Sequence, residues 1–214
     1  MSTYYILNYI GAAALFIYNF LYMKKRQELT QSRFRKSVKK LSTEKLYLII
    51  ETLIISIFQY APILIFNKSF GFVVGTGANY FGLLYLAPIF LGIGCFLLGT
   101  DWMNQSDLLT PAYPLALFFS KIGCFFGGCC RGIPWKYGIP NFQTGVKEVP
   151  IQLLEALSAL LIFIFFSIYG NKLKRGTAFP IYVIVYSVSR FITEFLRAEK
   201  SVIWGLKMYQ ILCL

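Results

Sequence analysis

Apolar residues in this chain come in long blocks, not at alternate positions and not along one helical face. Six blocks stand out, over residues 4–23, 46–66, 80–99, 108–124, 150–169 and 177–197. A helix rises about 1.5 Å per residue, so the hydrocarbon core of a bilayer takes about 20 residues. The pattern predicts an all-α, polytopic integral membrane protein with six to seven transmembrane helices. The seventh would open at Met208. Pro111 and Pro114 interrupt the fourth block, which neighbouring helices or water can accommodate. Repeats and low-complexity segments are not evident, and the whole of 1–214 reads as a single transmembrane domain.

Charge orients the blocks. Nine of the 21 Lys and Arg residues lie between Lys24 and Lys45, so the loop 24–45 is expected to be cytoplasmic. No cationic stretch precedes the first block, and Lys24, Lys25 and Arg26 follow it. That order describes a first transmembrane helix with the N-terminus outside, not a cleavable signal peptide. Alternation then puts 67–78 outside, 100–107 inside, the Gly/Cys-rich loop 122–149 outside, and the turn 170–176 inside. That turn carries Lys172, Lys174 and Arg175.

Composition narrows the function classes. The chain is 57% hydrophobic and 14% charged, against roughly 25% charged in soluble domains. A soluble enzyme, a disordered chain and a disulfide-dense module are excluded. The net charge of +12 could suggest a nucleic-acid binder, but the cations concentrate in one loop and no base-reading motif accompanies them. No nucleic acid is expected as partner. The five cysteines and the absence of histidine remove Ser-His-Asp and Cys-His triads, leaving Glu, Asp, Tyr, Lys or a substrate group as a general base.

Charges at membrane depth are costly, so each is a functional candidate. Tyr186, Arg190, Glu194 and Arg197 are spaced to share one stripe of a helix, and Arg190 can pair with Glu194 one turn on. Such a stripe reads either as a packing ion pair or as a polar wall around a lipid phosphate, whose oxygens match a guanidinium fork. Gln152 and Glu155 form a second polar stripe behind Pro150, open to a first-turn preference or to function. Glu51 reads as an interfacial or lightly buried acid.

The segment K-I-G-C-F-F-G-G-C-C-R-G, Lys121 to Gly132, gathers four glycines and three cysteines between two cations. Gly123, Gly127, Gly128 and Gly132 suit an anion-cradling loop, or close helix packing. Cys124, Cys129 and Cys130 stand open to packing or to a disulfide, of which Cys124–Cys129 is the feasible one. A C-x4-C-C spacing without histidine is not a standard zinc pattern. No metal and no cofactor are expected.

These residues resemble a known family. The stretch D-L-L-T-P-A-Y-P-L-A-L-F-F-S-K-I-G-C-F-F-G-G-C-C-R-G, Asp107 to Gly132, is similar to the signature of bacterial prolipoprotein diacylglyceryl transferases. So are P-I-Q-L-L-E at Pro150 to Glu155, Y-S-V-S-R-F-I-T-E-F-L-R at Tyr186 to Arg197, and G-L-K-M-Y-Q-I-L at Gly205 to Leu212. The order and approximate spacing of the four blocks match, over the half of the chain from Asn79 onward. The resemblance implies an all-α, seven-span body in the bacterial plasma membrane whose site opens outward. It implies transfer of the diacylglyceryl group of phosphatidylglycerol to the lipobox cysteine thiol of a prolipoprotein, with release of glycerol phosphate.

By the same resemblance, Lys121 stands where the family has a phosphate-holding arginine. Arg190 matches an arginine held essential, Glu194 its partner, Tyr186 a site tyrosine, and Gly123 and Gly132 signature glycines. Glu155 joins these as a candidate catalytic group. Gly128, Gln152, Arg197 and Tyr80 are expected to bind substrate. So are Cys124 and Cys129, which stand where the family has Asn and Glu. Tyr80 falls near the place of the family's H-G-G histidine, and the G-G-R block after the second span has no counterpart. The expected partners are phosphatidylglycerol or another anionic phospholipid, the lipobox segment and the membrane. Two alternatives remain: a related lipid transferase with another donor or acceptor, and a non-catalytic lipid-binding or thiol-redox membrane protein.

Overall fold

The structure, a computed structural model, describes residues 2–25, 48–59, 79–201 and 204–214. The cationic loop 24–45 (beyond Lys25), residues 46–47 and 60–66 of the block 46–66, and the loop 67–78 lie outside the described residues. The elements are α1 (Ser2–Lys25), α2 (Leu48–Gln59), α3 (Asn79–Leu98), α4 (Trp102–Leu109), α5 (Ala112–Gly127), β1 (Pro134–Pro140), β2 (Lys147–Glu148), α6 (Ile151–Tyr169), α7 (Ala178–Glu194) and α8 (Met208–Cys213).

The expectation of six to seven spans is corrected. Among the described residues, three helical stretches are long and apolar enough to cross a membrane: Ile6–Lys25, Trp102–Gly127 and Ile151–Tyr169. The apolar stretches Leu48–Gln59 and Leu84–Leu98 are shorter among the described residues, and α7 has 17 residues with Arg190 and Glu194 inside its last turns. At about 1.5 Å per residue α7 covers only about 25 Å. The side of the membrane on which the N-terminus lies is likewise not determined. Among the described residues the architecture is α-helical apart from one antiparallel β1–β2 pair, in a stretch the sequence presented as loop.

The chain divides into two compact units. The first comprises Met1–Leu15, Thr110–Asn171 and Pro180–Leu214. Here α5 and α6 pack side by side. Gly123 and Gly127, one turn apart on α5, let α1 come close: a Cβ on Gly123 would lie 3.3 Å from the Tyr4 carbonyl oxygen and from Leu7 Cβ. Fully buried aromatics fill the unit. Tyr182 stacks on Tyr113 at 6.0 Å between centroids and meets Phe166 edge-on at 5.9 Å.

The second unit comprises Phe16–Leu109 and Lys172–Phe179. Its apolar core joins Met23, Leu48, Ile55, Leu91, Cys95, Leu98 and Leu109. Beside it Asn19 donates to Ser56 Oγ (3.0 Å) and Gln59 Oε1 (2.7 Å), while Gln59 donates to the Leu109 carbonyl (3.4 Å). Glu51, expected near the surface, is only 1% exposed. Asp107 on α4 accepts from the Gly176 and Ala178 amides, meeting two orphan donors at the start of α7.

Candidate functional site

Glu155 on α6 collects three cations, all within the first unit. Lys121 Nζ, from the last turns of α5, lies 2.6 Å from Glu155 Oε2. Arg190 Nη1, from α7, contacts Oε1. Arg197, three residues beyond α7, donates through Nε to Oε1 (3.2 Å) and through Nη2 to Oε2 (3.1 Å). Arg190 also holds Glu194 Oε2 at 2.8 Å, one helical turn on, and its guanidinium sits 4.9 Å over the Tyr209 ring. Arg190, Glu194 and Arg197 are each no more than 5% exposed. Charges are stable at such depth only when paired this densely.

The stripe read from sequence therefore exists, with the proviso that the anion at its focus is the chain's own Glu155. A narrow cleft opens beside that focus, lined by Lys121, Glu155, Tyr186, Arg190, Ser158 and Ser189 among others. The two serine hydroxyls face each other at 2.5 Å. Burial works against the charge of Arg197, yet Glu155, Cys130 and Glu194 carry its pKa above the ordinary value.

The Gly/Cys segment is shaped by its helix end. Gly128 takes the left-handed conformation (φ 66°), and α5 closes with the Gly128 amide donating to Phe125 O and the Cys129 amide to Cys124 O (both 3.2 Å). A side chain there is also blocked, since a Cβ would lie 2.6 Å from Gln143 Cγ. Cys130 has φ 58°, a costly value for a residue with a Cβ. The turn brings the Sγ atoms of Cys124, Cys129 and Cys130 within 4.8 Å of one another, all as free thiols. Hydrogen bonds from Cys124 and Cys129, with Lys121 and Arg197 nearby, hold the Cys130 thiol below its usual pKa. Gln152 donates to the Cys129 carbonyl at 2.7 Å, which ties the start of α6 to this loop.

Gly132 serves backbone approach: a Cβ would sit 2.1 Å from the Val149 carbonyl oxygen. The loop also pairs with the chain past α7, where Ile133 N donates to Leu196 O (2.9 Å) and Ala198 N to Arg131 O (3.0 Å). That pairing fixes where Arg197 starts its reach toward Glu155. Of the residues expected from sequence, Lys121, Glu155, Tyr186, Arg190, Glu194 and Arg197 come together. Gln152 and Cys129 adjoin them through the loop. Gly123 is a packing glycine against α1. Tyr80 lies on α3, in the second unit.

Three supporting residues went unread in the sequence. Asn141 donates to Gly128 O (3.0 Å) and Glu148 Oε1 (2.6 Å), and accepts from the Gln143 and Thr144 amides. Glu148, 3% exposed, also takes Arg131 Nε at 3.2 Å. Lys207 donates to the carbonyls of Glu194 and Arg197, each at 2.6 Å. The turn composition Asn-Phe-Gln-Thr-Gly at 141–145 was the available signal for the first.

The family model for prolipoprotein diacylglyceryl transferase matches residues 2–214. A phosphatidylglycerol–prolipoprotein diacylglyceryl transferase of Clostridium tetani is 33% identical over 134 residues, 59% of this chain and 54% of that protein. The one numbered 2 in Clostridium perfringens is 34% identical over 119 residues, 51% of this chain and 46% of that protein. One from Campylobacter jejuni is 33% identical over 153 residues, 66% of this chain and 54% of that protein. The chain spans about half the length of the curated relatives it matches. No solved structure matches it. With these bacterial relatives, the chain is a multi-pass protein of the plasma membrane.

Proposed function

Because the chain belongs to the prolipoprotein diacylglyceryl transferase family, we propose that it transfers the diacylglyceryl group of phosphatidylglycerol to the lipobox cysteine of a prolipoprotein. The convergence of Lys121, Arg190 and Arg197 on one carboxylate carries this reading. Three cations already gathered around one carboxylate, in a site shielded from water, can pass to a phosphate that displaces it. In this reading the peptide thiol attacks the glyceryl carbon, an S–C bond forms, the C–O bond to phosphate breaks, and glycerol phosphate leaves. Negative charge grows on the departing phosphate, and fixed cations stabilise it most where water is excluded. Glu155 accepts the thiol proton as the phosphate takes over its cations. Arg190 and Lys121 are the phosphate-holding groups, Glu194 positions Arg190, and Tyr186 lines the cleft. Arg197, Gln152 and the loop of Gly123, Cys124, Gly128, Cys129 and Gly132 shape the binding side.

The test is mass-spectrometric. The full chain in lipid vesicles is incubated with phosphatidylglycerol and a synthetic lipobox peptide. The wild type is expected to add a diacylglyceryl group to the peptide thiol, and Arg190→Lys to reduce transfer by about 100-fold, the scale of losing one fixed transition-state donor. Transfer from a different phospholipid alone would move the reading to a related transferase. Absence of any peptide lipidation by folded wild type, or full activity in Arg190→Lys, would overturn it.

A further inference from the structure

The transfer step gives no chemical role to the sulfur atoms of Cys124, Cys129 and Cys130, although their loop borders the binding side. Sequence spacing argued against a metal there, because C-x4-C-C without histidine fits no common ligand pattern. Folding changes the count. Neighbouring residues in extended backbone point their side chains to opposite sides. The left-handed Cys130 breaks that alternation, so that Cys129 and Cys130 both reach Cys124 at the end of α5. Their Sγ atoms lie within 4.8 Å of one another. Tetrahedral zinc–thiolate bonds of about 2.3 Å set sulfurs about 3.8 Å apart, so closure needs shifts of at most about 1 Å.

The surroundings favour the same occupant. Glycine at 128, the Gln152 bond to the Cys129 carbonyl and the Asn141 bond to the Gly128 carbonyl fix the loop from behind. Ligand loops held this way keep their donors aimed before a metal arrives.

We propose that Cys124, Cys129 and Cys130 form a binding site for a thiophilic divalent ion of the zinc class, with three protein sulfurs as ligands and a fourth position left for water or an external thiolate. Three protein ligands with one open position is the coordination of catalytic zinc and not of structural zinc. The site rests on the geometry of three sulfurs and stands whether or not the transferase reading holds.

The purified, reduced full chain in detergent is loaded with zinc, passed over a weak chelator and measured for metal content and thiol reactivity. One zinc per chain is expected, with three of the five thiols shielded from alkylation while metal is bound. Cys124→Ser, Cys129→Ser and Cys130→Ser should each weaken zinc binding at least tenfold, whereas the double variant Cys95→Ala, Cys213→Ala should keep it. The shielding measurement uses the wild type alone and so does not depend on how the variants fold. Zinc held equally by the three serine variants would be adventitious and would overturn the proposal. So would a wild type that binds none, or a disulfide between any two of the three.

Discussion

One buried polar cluster from each unit shows two different materials at work. In the first, Lys121, Glu155, Arg190, Glu194 and Arg197 are joined by charge, drawn from α5, α6, α7 and the segment after it. In the second, Asn19, Ser56 and Gln59 are joined by neutral amides and a hydroxyl, at 2.7 and 3.0 Å. Amides between apolar helices are cheap to bury and worth little each, because the unfolded chain in a membrane also finds partners for them. Paired charges are the reverse: desolvation costs much, and removing one partner strands the others. Packing alone would be served by the first kind. A chain that carries the second kind has retained something a well-packed apolar core could have replaced, which supports the proposed site.

That contrast can be broken or sharpened by substitution, read as thermal unfolding in detergent. Glu155→Gln leaves three buried cations facing a neutral amide and is expected to cost about 3–5 kcal/mol. If it proved as mild as an amide deletion, the charged cluster would be no more than packing. Gly132→Ala drives a methyl group against the Val149 carbonyl oxygen and should cost about 1–3 kcal/mol. It should also reduce lipid transfer, since it spreads the strand pairing that sets Arg197. Asn19→Ala, in the second unit, should cost only about 0.6 kcal/mol and leave transfer unchanged. A large loss of transfer there would erase the distinction between the units.

Much of the charged cluster was legible because helical periodicity is local. Tyr186, Arg190, Glu194 and Arg197 needed only the 3.6-residue repeat to share a face. That Lys121 and Glu155 belong with them was implied by the family resemblance, not by spacing or depth. Less legible was the anion on which they converge, because a pairing across three elements leaves no trace in spacing. The span count failed for a physical reason: hydropathy records where a chain is apolar, not where its hydrogen-bonded ladder stops. Apolar residues at 177–197 read as a full crossing, yet α7 stops at Glu194 after 17 residues. The β1–β2 pair escaped because Pro134 to Pro140 alternates poorly and lies mostly exposed, with Asn141 and Glu148 holding it through contacts the local sequence does not announce. The thiol cluster escaped because its convergence depends on one unusual dihedral at Cys130.

Lys207 shows how far one primary amine can be committed. Its ammonium already serves the carbonyls of Glu194 and Arg197, so an incoming reagent must first break those bonds. Acylating reagents that label freely solvated lysines within minutes should therefore reach Lys207 late, and the rate at which it finally reacts would clock the peeling of residues 205–214 away from the end of α7.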